Sequence, residues 1–85
     1  MVNNETFLYR TPRTKLIRVL SRGLGTALAS DVVNRTADLL GLGEELSQRE
    51  VLHVLDRLSQ HAGVVGVSAS FTKAQVALWI NSAHP

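Results

Sequence analysis

Apolar positions recur along this chain with a helical period over its first two thirds and with an alternating period near its end. Leu16, Ile17, Leu20 and Leu24 fall on one face of a helix, and Arg13, Lys15, Arg18 and Arg22 lie largely outside that face. Thr11-Pro12 signals its start, with Pro12 at the first helical position, and Gly23-Leu24-Gly25 ends or bends it. A second helix is expected from Thr26 or Ser30 to Leu40, apolar along Leu28, Val32, Val33, Thr36, Leu39 and Leu40. Gly41 or Gly43 can take the left-handed conformation that closes it. The third helix has the sharpest local signal. Ser47-Gln48-Arg49-Glu50 reads as a capping box, followed by an apolar face of Val51, Leu52, Leu55 and Leu58 and an end near His61 and Gly63.

Beyond Gly63 the alternation predicts strands. Val65, Val67, Ala69 and Phe71 would share one strand face. Thr72-Lys73 or a slightly longer loop would turn the chain, and Val76, Leu78 and Ile80 would share a face of the next strand, with Gln75, Ala77 and Trp79 opposite. The expected fold class is therefore α+β: three helices followed by a C-terminal β-hairpin, in the order helix-helix-helix-strand-strand. Thr6-Phe7-Leu8-Tyr9 could add a short N-terminal strand. Residues 1–10 would form an arm or strand, 11–81 a single domain and 82–85 a tail.

Composition narrows the class without changing this picture. With 85 residues, 45% of them apolar, and no cysteine, the chain must stabilise a small core without disulfides. The apolar fraction is too high for a disordered chain. No apolar run approaches the ~20 residues of a membrane span, and Met1 to Tyr9 lacks the pattern of a signal peptide. A cytoplasmic location with no membrane contact is the resulting expectation. The net charge of +2 is unevenly spread. Residues 1–22 carry +4, through Arg10, Arg13, Lys15, Arg18 and Arg22 against Glu5. Residues 23–58 carry −3, and Lys73 supplies the last positive charge.

Candidate chemistry is sparse. His53, His61 and His84 have no second ligand at metal spacing, and Gly23-Leu-Gly25, Gly41-Leu-Gly43 and Gly63-Val-Val-Gly66 read as element ends rather than phosphate loops. The expectation is a protein that is not an enzyme, with no catalytic residue, metal, cofactor or small-molecule substrate.

Two binding roles remain. In the first, the chain is a protein-interaction or oligomerisation adaptor whose apolar hairpin, through Val65, Val67, Phe71, Val76 and Trp79, meets a protein partner or forms a homodimer. In the second, the order of elements resembles a winged helix-turn-helix domain, the DNA-binding fold of many transcriptional regulators. Thr36 to Leu42 and Ser47 to Leu58 would supply its second and third helices, and Val64 to Ile80 its wing. Arg10, Arg13, Lys15, Arg18, Arg22, Arg49 and Lys73 are the candidate contacts to nucleic acid or another anionic partner. The stretch Leu46-Ser47-Gln48-Arg49-Glu50-Val51-Leu52 also resembles the start of LuxR-type DNA-binding domains, with strands expected where that family continues as helix-turn-helix.

Overall fold

The computed structural model describes residues 10–82, with side chains described as far as Leu78. Its elements run β1 (Arg10–Pro12), α1 (Arg13–Leu24), α2 (Thr26–Leu39), β2 (Glu45–Ser47), α3 (Gln48–Ser59) and α4 (Val64–Ser82). The arm and strand expected at Thr6 to Tyr9 and the tail beyond Ser82 lie outside the described residues.

The helices expected in the first two thirds stand close to where the apolar spacing puts them. Pro12 closes β1 and precedes α1 instead of opening the helix. Having no suitable side chain, it cannot cap α1, and the Arg13 N–H at that helix start donates to Glu44 O at 2.9 Å. Gly25 alone separates α1 from α2, so the two helices pack side by side. Gly41 ends α2 at φ +74°, a conformation that glycine reaches without a Cβ penalty. Its N–H donates to Asp38 O and that of Leu42 to Ala37 O, the paired bonds of a Schellman motif.

The capping box of α3 forms in full. Glu50 N donates to Ser47 Oγ at 3.1 Å, and Ser47 N donates to Glu50 Oε1 at 2.8 Å. Ser47→Ala leaves the Glu50 N–H without this acceptor and is expected to cost about 1 kcal/mol. A thermal melt indistinguishable from wild type would show that this cap adds nothing to stability.

The C-terminal hairpin is overturned. Residues 64 to 82 form one 19-residue helix, and the two strands lie instead at Arg10–Pro12 and Glu45–Ser47. These pair antiparallel as Arg10↔Ser47, Thr11↔Leu46 and Pro12↔Glu45. Thr11 and Leu46, directly opposite one another, are both buried, so this short ribbon closes one end of the core. The reason for the error lies in the composition of α4. Its apolar residues occupy nearly every side of the helix, so no single face stands out and the helical period is masked. The valines suggested strands, yet Ala69, Lys73, Ala74, Gln75 and Ala77 are strong helix formers. No Asn-Gly or Asp-Gly lies between the supposed strands to turn them.

One core joins all four helices. Leu16 and Leu20 of α1, Ala29 and Val33 of α2, Leu46 of β2, Val51, Val54, Leu55 and Leu58 of α3, and Ala69 and Val76 of α4 are buried together. α4 packs along α3 and also against α1, which leaves its opposite side outward.

Candidate interaction surface on the last helix

The inward side of α4 carries Gly66, Ala69, Thr72 and Val76, all buried. The outward side, half a helical turn round, carries Val64, Val67, Phe71, Ala74 and Leu78, all exposed. The exposed fractions are 54% at Val64, 70% at Val67, 66% at Phe71 and 64% at Leu78. Steps of three and four residues hold these five positions in a single stripe. Phe71 also borders a shallow groove of about 290 Å³ between α1 and α4, beside Val19, Arg22 and Gln75.

The helix divides the residues that the hairpin would have placed together. Val67 and Phe71 stand on the exposed stripe, Val65 is half-buried, and Val76 lies in the core. The Trp79 side chain lies outside the described residues. Val64, Ala74 and Leu78 were missed as surface positions. Their three-and-four spacing with Val67 and Phe71 was present in the sequence and points to a helix once the whole stretch is taken as one element.

The basic residues are similarly divided. Arg13 is 6% exposed and its guanidinium is turned inward. Nε donates to Gly43 O at 2.8 Å and Nη2 to Leu42 O at 2.6 Å. Nη1 donates to Asn34 Oδ1 at 3.2 Å and to Asp38 Oδ1 at 3.1 Å. Together these bonds fasten the start of α1 to the end of α2 and to the loop before β2. Lys73 donates to Asp56 Oδ1 at 2.7 Å, which ties α4 to α3. That hydrogen bond and the ammonium charge hold the Asp56 carboxyl below its ordinary acidity range. Lys15 is half-buried, and Arg10, Arg18, Arg22 and Arg49 are exposed on β1, α1 and α3. The wing that would have brought Lys73 to nucleic acid does not exist, because its residues are α4.

Among the described residues, no three His, Asp or Glu side chains gather as a metal site. None of the described helices is long and apolar enough to cross a membrane. Comparison of the chain with protein-family models, with curated proteins and with solved structures finds no match in any of the three.

Proposed function

We propose that this chain is a non-catalytic association module whose working surface is the outward face of α4. The observation that carries the reading is the stripe of Val64, Val67, Phe71, Ala74 and Leu78, exposed on a helix whose other face is already buried. An exposed apolar residue standing singly, such as Leu39 at the end of α2, needs no explanation. Five in register on one helix form a continuous surface, and such surfaces mark sites of association.

Phe71→Asp tests the reading. The site is exposed, so the variant is expected to keep its helical circular dichroism and to change stability by no more than about 0.5 kcal/mol. The wild type is expected to gain mass in sedimentation as its concentration rises from micromolar to millimolar, and the variant to remain monomeric. A wild type that stays monomeric over the whole range sinks the reading.

A further inference from the structure

We infer that the occupant of the outward face of α4 is the same face of a second copy of this chain, with the two helices laid antiparallel; this rests on the association reading above.

Charge favours a second copy. In a two-fold interface each patch meets its own image, so any charge on it faces its like. The stripe holds no ionisable residue. The only Lys, Arg, Asp, Glu or His in α4 is Lys73, which is bonded to Asp56 of α3. Self-pairing therefore meets no repulsion within the stripe itself, and Arg22, which borders it beside Phe71, stands on α1 at its margin. The five stripe residues themselves offer no charge to select an acidic or basic partner. They also offer no row of cations to hold an anionic lipid surface.

Spacing and side-chain size set the direction. The steps from 64 to 67, 71, 74 and 78 alternate three and four residues, the repeat by which two helices interlock. A parallel pair would stack Phe71 on the partner's Phe71 and Ala74 on the partner's Ala74, giving one overfull layer beside one empty layer. An antiparallel pair sets Phe71 over the partner's Ala74 and Val67 over the partner's Leu78. Large then faces small in the central layers, which lets them fill at interior density. Antiparallel helix dipoles add to the same preference.

The size of the surface sets the strength. Its side chains expose on the order of 400 Å² of apolar area, within the range of the largest patch on a typical monomer. That is about half of what each partner of a standard interface buries, which places the pair among weak, transient associations.

The chain has no cysteine, so single cysteines can report the register. Val67→Cys and Leu78→Cys lie at exposed positions and are expected to keep the wild-type circular dichroism. In the antiparallel pair residue 67 lies opposite residue 78, whereas two residues 67, or two residues 78, are about 16 Å apart along the axis. A disulfide needs Cα atoms within about 7 Å. Oxidising an equal mixture of the two variants at the millimolar end of the sedimentation range should therefore give mixed dimer. Each variant alone should give at least tenfold less, and adding Phe71→Asp to both should abolish the product. Strong cross-linking of each variant with itself would mean a parallel pair, which overturns the antiparallel inference and leaves α4 as the association face. No cross-linking in any arm overturns the antiparallel inference; if Phe71→Asp also leaves the wild-type sedimentation unchanged, or the wild type stays monomeric, the association reading falls with it.

Discussion

Arg13→Ala is expected to lower the melting temperature by about 15 °C, at the larger end of single-residue effects for a domain of this size. Four acceptors lose their donor at once: the carbonyls of Leu42 and Gly43, the Asn34 amide oxygen and the Asp38 carboxylate. Asp38 is 71% exposed and water can replace its lost bond, so the cost falls mainly on the other three. Bonds to a charged donor are worth about 1.5–3 kcal/mol each before water compensates. A net loss of about 3 kcal/mol follows, and each kcal/mol moves the midpoint of such a domain by about 4–8 °C. Arg13→Lys is expected to recover only part of the loss, since one ammonium cannot reproduce the planar fork that reaches both carbonyls and both side chains. A melting temperature within 3 °C or so of wild type for Arg13→Ala would mean that the loop before β2 is held without this guanidinium. The same geometry changes how a basic-face experiment is designed. Removing Arg13 would report on folding, so the exposed Arg18 and Arg22 are the positions that test contact with an anionic partner.

The second large effect is expected at Gly66→Ala. Gly66 is buried in the first turn of α4, and a Cβ there would collide with the His61 carbonyl, with Ser59 O also only 3.2 Å away. Both obstacles are backbone atoms, one at the end of α3 and one in the turn that follows, so neither can swing aside as a side chain would. The start of α4 must lift from α3, and the expected cost is about 3 kcal/mol, at the upper end of overpacking penalties. Chemical denaturation of both proteins reads this directly. A variant as stable as wild type would show that this turn yields at little cost. The contrast with Phe71→Asp is informative, because the two residues share one helix on opposite sides. One substitution should weaken the fold and leave the association face in place, and the other should abolish association and leave the fold.

Legibility from sequence followed how local each signal is. The capping box of α3 lies within four residues and was read correctly, down to both hydrogen bonds. The Schellman closure at Gly41 needed only a glycine after an apolar helix, and the sequence offered two candidates. β2 was missed because three residues give alternation too little length to register. Its pairing with Arg10 to Pro12 joins segments far apart in sequence, which no local pattern reveals. α4 failed for a different reason. Its inward face satisfies the fold and its outward face is apolar as well, so two superposed helical stripes imitate alternation. The error and the candidate surface therefore have one origin, since the residues that hid the helix are those left outside the core. Arg13 is the opposite case. In sequence it stands among basic residues at the start of an amphipathic helix and reads as a surface charge. Only the fold brings the loop of Leu42 and Gly43 against it.

The dependence of the core on its last helix bears on how the chain is made. A ribosome adds about 5–20 residues per second, so these 85 residues take on the order of ten seconds to synthesise. During that time α1 and α2 emerge first and can pair across Gly25. Leu16, Leu20, Ala29 and Val33 then wait for partners encoded as late as Ala69 and Val76. The core closes only once α4 has emerged from the ribosome, and until then the growing chain presents half a core to its surroundings. The nascent intermediate, more than the finished molecule, is the species that a chaperone or a protease would meet.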